Sequence, residues 1–404
     1  MTLTVLLTLG RLPKALELAR ALAGAGNRVI VAEPFARHLC APSRAVAKSV
    51  KVRPPATDLN GYTEDLRRIV REEGVDVIIP ISEEAPFAII AAEAMGTGVH
   101  LASPPFRTIA TLHDKLAFIE TASRLGLPTP QTFSADDGRA DRLKTSSDYV
   151  VKPRNGCSGI GVSFHKKGDA GPTRADRQNF VVQERAYGRL VSIQLLVRRG
   201  ETVGSVAYKG TAFSGSVAVQ FERVDTAEAA LSWAKAFAHR FEYDGFIAFD
   251  MVLDDQATPE KVMVLECNPR LTSGVHFFHA DDLAAFALGR SFSARARLKP
   301  ETRLQEGHTA LLEAYGQILK PRRCFKSLRN AFSTRDVLWS AHDPLPFLLM
   351  TPMSWGVLKR VAFEGMSFGE AATCDIAWRG EPSAPAEPIS TPAREPQPMA
   401  VAND

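Results

Sequence analysis

Cysteine is scarce and scattered in this chain of 404 residues: there are five, Cys40, Cys157, Cys267, Cys324 and Cys374, with no Cys-x-x-Cys among them. That odd, unpatterned set offers neither a zinc-ligand spacing nor a disulfide framework, and it reads as a protein of a reducing compartment, the cytoplasm. Charge of one sign is also lacking. Lys and Arg total 49 against 45 Asp and Glu, a formal net charge of +4, with no dense basic run, so no nucleic-acid partner is indicated. Long apolar runs are missing too. The most lipid-like stretch, 344–363, is interrupted by Pro344, Pro346, Pro352 and the Lys359–Arg360 pair. It therefore argues against stable membrane insertion; a buried or interfacial segment is expected, with peripheral membrane contact as the alternative. The apolar N-terminus has no basic leader and reads as a first strand rather than a signal peptide. No Walker A sequence occurs, no Gly-x-Gly-x-x-Gly follows the first strand, where Gly10 stands alone before Arg11, and no Ser-His-Asp or Cys-His arrangement is evident.

What is present is the length for two or three domains and an ordinary globular composition, 45% apolar and 23% charged. The first ~105 residues alternate apolar strand patterns (4–9, 28–32, 75–81, 99–102) with amphipathic helix patterns (12–25, 62–73, 85–95), most of the helices ending at glycine. This predicts a small doubly wound α/β domain over 1–105. Residues 106–126 read as one helix closed by Gly126, and a strand-rich middle domain follows to about 300. Residues 301–380 read as a C-terminal α/β extension. The tail 381–404 is rich in Pro and Ala and is expected to be disordered. A basic patch (Lys320, Arg322, Arg323, Lys326, Arg329) is expected to be a solvated helix face. No internal repeat is visible.

The chemistry concentrates near residue 266. Residues 261–268 form an apolar strand that ends in a carboxylate and a carboxamide. With a side-chain period of two, Glu266 and Asn268 share one face and Leu265 and Cys267 the other. Pro269 stops the ladder and Arg270 adds a planar cation suited to phosphate or carboxylate. Upstream, 246–253 is a second apolar run with one acid inside it. If the two runs pair as a hairpin about residue 258, Asp250 falls opposite Glu266. Two acids meeting inside a sheet call for a cation, and oxygen donors of this kind suit Mg²⁺, with Mn²⁺ the other choice.

Two further segments carry weaker signals. At 149–162 a strand delivers Lys152 into a loop with Arg154, Gly156, Ser158, Gly159 and Gly161. Such a loop is either a glycine-rich hairpin turn or a cradle whose backbone N–H groups approach phosphate. At 180–188 a strand runs into the polar hinge Gln183, Glu184, Arg185, Ala186, Tyr187, whose backbone is able to meet an adenine edge. Ser82, Glu83 and Glu84 follow an apolar strand, as helix caps or as ligand contacts.

In this order, Lys115 on a helix, Lys152 with its glycine loop, the Gln183–Glu184 hinge, Asp250, then Glu266-x-Asn268-Pro269-Arg270, the chain resembles the ATP-grasp superfamily over roughly 1–290. The branch is that of carboxylate–amine (and carboxylate–thiol) ligases shared with carbamoyl-phosphate synthetase and biotin carboxylase. The resemblance implies an ATP-grasp domain over 106–300 with a lid at about 130–185. It implies Lys115 and Lys152 on ATP phosphates, the 154–161 loop as lid, and 183–187 around adenine and ribose. Asp250, Glu266 and Asn268 would hold Mg²⁺, and Arg270, with Lys152, would stabilise the transferring phosphoryl group. Ser273, Gly274, His276, Ser82 and Glu83 would face substrate, His276 reading more readily as a packing histidine. Lys209 is either a phosphate contact or a solvated lysine. One departure stands out: Leu190 occupies the place after the hinge where many relatives carry an acid.

The implied activity is phosphorylation of a small carboxylate to an acyl phosphate and its capture by an amine, releasing ADP and phosphate, in an enzyme that is a homodimer among many relatives. The same motifs admit phosphorylation of an enolised ketone before amine attack, as in mycosporine-type biosynthesis, a small-molecule kinase, or a non-catalytic nucleotide-binding module.

Overall fold

A computed structural model describes residues 2–96, 98–157, 159–172, 176–214, 217–254, 256–257, 260–290, 295–307 and 334–380. The solvated patch expected at 320–329, the disorder expected of 381–404 and Ser158 all fall outside the described residues. Strands β1 (Thr4–Leu7), β2 (Arg28–Glu33), β3 (Lys48–Lys51), β4 (Val77–Ile79) and β5 (His100–Leu101) form a wholly parallel sheet in the order β3-β2-β1-β4-β5. Helix α1 (Pro13–Gly24) begins with a proline, whose missing N–H is no loss in a first turn. Helix α2 (Leu59–Glu73) starts earlier than periodicity predicts because Asp58 caps it, accepting from the Gly61 N–H. Helix α3 (Ala85–Met95) ends at Gly96 in the left-handed conformation, φ 58°.

The single helix expected over 106–126 is two: α4 (Phe106–His113) and α5 (Lys115–Arg124). Asp114 breaks them. Its backbone is extended and its carboxylate accepts from the N–H groups of Leu116 and Ala117, so it caps the second helix at the place where the first stops. An antiparallel four-stranded sheet follows, in the order β6-β9-β7-β8: β6 (Thr132–Ser134), β7 (Tyr149–Pro153), β8 (Ser163–His165) and β9 (Phe180–Glu184), with α6 (Gly138–Ser146) between the first two.

The largest sheet has seven strands in the order β14-β13-β10-β11-β12-β15-β16. These are β10 (Arg189–Arg198), β11 (Glu201–Ser214), β12 (Val217–Arg223), β13 (Gly245–Asp254), β14 (Lys261–Asn268), β15 (Arg303–Gln305) and β16 (Arg335–Asp336). Helix α7 (Glu228–Arg240) lays Trp233 and Phe237 on one face, against Phe118 of α5 and Phe249 of β13. On the other face α1 packs against α8 (Ala280–Ala287), and the apolar core there runs from β1 to Phe277 and Phe278.

The described part of 301–380 is woven into both sheets. β15 joins the seven-stranded sheet, and the last residues return to the N-terminal one. Arg11, fully engaged, donates to Glu33 and to Asp375 at 2.7 and 2.9 Å, Arg360 donates to the same Asp375 at 3.1 Å, and Phe35 stacks under both guanidinium groups. Trp378 packs edge-on to Phe87 and Phe106. Short helices α9 (Leu345–Leu348), α10 (Met350–Met353), α11 (Trp355–Glu364) and α12 (Phe368–Thr373) complete this segment. Of the two expectations for 344–363, buried or interfacial, full burial does not hold: Leu348 and Phe363 are 64% and 73% exposed, and Leu345, Leu349 and Trp355 are exposed as well. One flank of α11 packs on α12 and Phe35 while the other faces outward. Among the described residues no helix is long and apolar enough to cross a membrane.

Candidate active site

The pairing of β13 with β14 places Asp250 directly opposite Glu266, and β10 adds Ser192 beside Asp250. The ladder slips by one residue just there, because Leu265 bulges out of register. The bulge corrects the strict alternation read from the sequence: Cys267 is buried in the α7-side core, whereas Leu265 is only half-buried and its carbonyl is turned to Lys152. Asp250 accepts from Ser192 Oγ at 2.5 Å and from Asn268 Nδ2 at 3.0 Å. Burial raises its pKa, and the charge of Glu266 raises it further. Burial pushes Glu266 the same way, but Lys115 and Lys152 outweigh it and hold this carboxyl well below the usual range.

Both lysines are buried, 6% exposed each. Lys152 Nζ donates to Gln183 Oε1 at 2.9 Å and to the Leu265 carbonyl at 2.8 Å. Burial drives its pKa down to about 7, only partly offset by Glu266. Lys115, at the start of α5, lies 3.3 Å from Glu266 Oε2 and donates to the Gly156 carbonyl at 2.9 Å. The glycine loop is thus tethered at its base to the carboxylate pair. Gly156, Gly159 and Gly161 all have positive φ (143°, 69° and 75°), which glycine alone adopts freely. Arg154 binds Asp114, with its Nη2 2.7 Å from Oδ2, so it fixes the loop to the α5 cap instead of being free for a phosphate. Cys157 reaches across to Thr373 Oγ1 at 3.6 Å.

On the other side stands Arg270. It donates to Asn268 Oδ1 at 2.9 Å and is ion-paired with Glu83, while its Nε is buried without a partner among the described residues. Glu83 lies beyond β4, where the strand order of the parallel sheet reverses and open α/β sheets take their ligands. The capping reading of 82–84 fails: Glu84 turns back to accept from the N–H groups of Ile81 and Ser82 and from Thr8 Oγ1, leaving α3 without a side-chain cap. Lys14 of α1 donates to the Leu271 carbonyl at 2.9 Å, and His113 lies 93% buried in the electrostatic field of Glu83, Lys115 and Arg270.

The turn after Arg270 is pinned from β10. Gln194 Oε1 accepts from the N–H and the hydroxyl of Thr272, both at 2.8 Å, and Tyr208 donates to the same hydroxyl at 3.0 Å. Gly274 packs so closely that a Cβ would come 2.5 Å from Gln194 Cβ. Ser273 is half-buried. His276 turns the other way: its Nδ1 is 3.0 Å from Glu17 on α1, which also binds Lys299 at 2.7 Å. It is a packing histidine of the α1 interface, removed from the carboxylate pair.

A family model described as the ATP-grasp domain matches residues 112–274. This segment is an ATP-grasp domain. It spans Lys115, the 154–161 loop, the 183–187 hinge and the Asp250–Arg270 cluster. The fold of the chain is shared with solved structures at low identity. N5-carboxyaminoimidazole synthetase from Staphylococcus aureus matches with TM-score 0.57 and 15% identity over 74% of this chain and 81% of that one. A biotin carboxylase–ATP complex from Campylobacter jejuni matches with TM-score 0.56 and 14% identity, covering 73% of each chain. The biotin carboxylase domain of Hydrogenobacter thermophilus 2-oxoglutarate carboxylase, a dimer with MgADP, ADP and bicarbonate, matches with TM-score 0.57 and 16% identity over 74% and 73%. No curated protein sequence matches.

In the ATP-grasp frame the hinge residues divide. Gln183 is 2% exposed and spends both ends of its amide inside, on Lys152 and on Thr132 Oγ1 at 2.9 Å, so it positions the lysine and does not face adenine. Glu184, Arg185, Ala186 and Tyr187 remain partly open where β9 ends, with Arg185 stacked between Phe164 and Tyr187. Lys209 is half-buried on β11. The residues sequence reasoning missed are Lys14, His113, Ser192 and Gln194. Only His113 carried a local signal, standing next to the Asp114 cap and Lys115.

The donor set fits Mg²⁺. Among the described residues no cluster of three His, Cys, Asp or Glu forms; the set is two facing carboxylates and a carboxamide, all oxygen donors. Asn268 Oδ1 has one lone pair on Arg270 and a second to give. The upward shift of Asp250 marks a buried negative charge in want of a cation.

Proposed function

We propose that this protein is an ATP- and Mg²⁺-dependent ligase that phosphorylates a small carboxylate to an acyl phosphate and couples it to an amine, releasing ADP and phosphate. The observation that carries the reading is the row of polar side chains Lys115, Glu266, Asp250, Asn268, Arg270 and Glu83, with Lys152 beside it on the Leu265 carbonyl. It runs from the glycine loop to the crevice of the parallel sheet. Lys115 and Lys152 suit the phosphates, and the partly open hinge at Glu184–Tyr187 suits adenine and ribose. Mg²⁺, held by Asp250, Glu266 and Asn268, would neutralise phosphate oxygens during transfer.

A carboxylate is a poor electrophile until its oxygen becomes part of a phosphate leaving group. Arg270 would stabilise the charge of that group: its Nε has no partner among the described residues and its Nη2 is already oriented by Glu83 and Asn268. The acyl phosphate must be kept from water, and the glycine loop, which bridges Lys115 and Thr373, would cover it. The site lies in the sheet crevice lined by Glu83 and Lys14, so acid and amine specificity belongs there.

The test is ADP and phosphate release from Mg·ATP over a matrix of amino acids and small carboxylic acids. Release that requires an acid and an amine together supports the ligase; ADP without free phosphate would replace it with a kinase. Measurable ATP binding without turnover on any pair, unchanged in Glu266→Gln, would replace it with a binding module.

A further inference from the structure

His113 is the buried ionisable side chain at this site to which no role has yet been given. It ends α4, is 7% exposed, and its Nε2 is buried without a hydrogen-bond partner among the described residues. An unpaired buried nitrogen is unfavourable unless a ligand completes it. The charged groups that act on it are Glu83 after β4, Lys115 of α5, Glu266 of β14 and Arg270 beyond it. Burial lowers its pKa and the two cations lower it further, against Glu83 and Glu266, so the imidazole is neutral at pH 7.

An amine that attacks an acyl phosphate must lose a proton. Glu83 is paired with Arg270, Lys14, which burial brings to a pKa of about 7, donates to the Leu271 carbonyl, and His276, whose Nε2 is also unpartnered among the described residues, is held to α1 by Glu17 through Nδ1. Asp250 and Glu266 are assigned to the metal and Lys115 and Lys152 to the nucleotide.

We propose that His113 Nε2 accepts the proton of the incoming amine. The amine nitrogen bonds to the acyl carbon, the carbon–oxygen bond to the phosphoryl group breaks, phosphate leaves with the electron pair, and the N–H proton passes to Nε2. The imidazolium then returns the proton to solvent. The inference rests on the ligase reading, and the experiment separates the two.

Two measurements test it. In the free protein labelled with ¹⁵N at histidine, the His113 Nε2 resonance is expected to be of the unprotonated type at pH 7; a protonated Nε2 would overturn the proposal without any substrate. In turnover, the standard amino acids and simple dicarboxylates serve as carboxylates, and each is offered an amine or hydroxylamine, a nucleophile that sheds its proton far more easily. For His113→Gln the ratio of amide to hydroxamate is expected to fall roughly 100-fold, the usual loss on removing a general base. The acid limb of the amide-forming pH profile should disappear with it. An unchanged ratio in a folded variant would refute the role of His113 and leave the ligase standing. No hydroxamate from the natural protein with any carboxylate would refute the ligase itself, and the role of His113 with it.

Discussion

Lys152 should change its protonation when nucleotide binds, and the size of that change follows from its surroundings. In the free protein it is buried on Gln183 and the Leu265 carbonyl; burial lowers its pKa to about 7, with the charges of Glu266 and Asp250 offsetting only part of the shift. At pH 8 only about one Lys152 in ten is protonated, so restoring its charge beside the phosphates of Mg·ATP should take up about 0.9 proton, against about 0.1 at pH 6. The sign is fixed: a folded-state pKa below the unfolded value of 10.5 means burying the ammonium opposes folding most fully below pH 7. The penalty fades as pH rises toward 10.5. A phosphate ligand removes it in the same window. Calorimetry of Mg·ATP binding in buffers of different ionisation enthalpy reads the proton count directly. The reasoning predicts that the natural protein takes up about 0.9 proton more than Lys152→Met at pH 8 and only about 0.1 more at pH 6, a comparison that cancels the protons Asp250, its pKa raised to about 6, gives up to the metal. The same difference at both pH values, or no difference at pH 8, would refute it.

Other perturbations give separate readouts. Asp250→Asn removes the like charge opposite Glu266, so urea unfolding of the free protein should show a gain of roughly 1–2 kcal/mol at pH 8 that shrinks toward pH 4, while Mg·ATP affinity falls. Gly274→Ala drives a Cβ into Gln194 and Tyr208; a loss of about 1–3 kcal/mol in stability is expected, with turnover reduced more than nucleotide affinity because the displaced turn follows Arg270. Asp375→Ala leaves Arg11 with Glu33 as its one carboxylate, beside the Ala372 carbonyl, and Arg360 without its carboxylate. A cost of about 3 kcal/mol should appear as a lower urea midpoint, and a smaller loss would mean that water replaces the missing partner.

The carboxylate pair was legible because it depends on local rules. Two apolar runs and a polar turn fix a hairpin, and the hairpin sets Asp250 against Glu266. The same rules predicted α3 to the residue, since its proline and glycine punctuate both ends. They failed where a local pattern was absent or overruled. β3 is a mostly exposed four-residue edge strand with no apolar alternation to read. The α4–α5 break needed Asp114 to be recognised as a cap inside an otherwise continuous helical pattern. Gln183 looked like a hinge residue because its two partners, Lys152 and Thr132, are 31 and 51 residues away. Arg270 with Glu83, Lys14 with the Leu271 carbonyl, and Arg11 with Asp375 join positions 187, 257 and 364 residues apart, a closeness that only packing of the sheets creates. For residues 344–363 composition left burial and an interfacial place both open, and the short helices with prolines leave one apolar flank outside.

The central claim is that a carboxylate oxygen becomes a phosphate oxygen at this site. Its most direct test is turnover with the active acid labelled with ¹⁸O in its carboxyl group and analysis of the released phosphate by mass. An acyl phosphate intermediate predicts that one labelled oxygen per turnover appears in inorganic phosphate. Label found only in the product and the remaining acid, with unlabelled phosphate, would contradict the account.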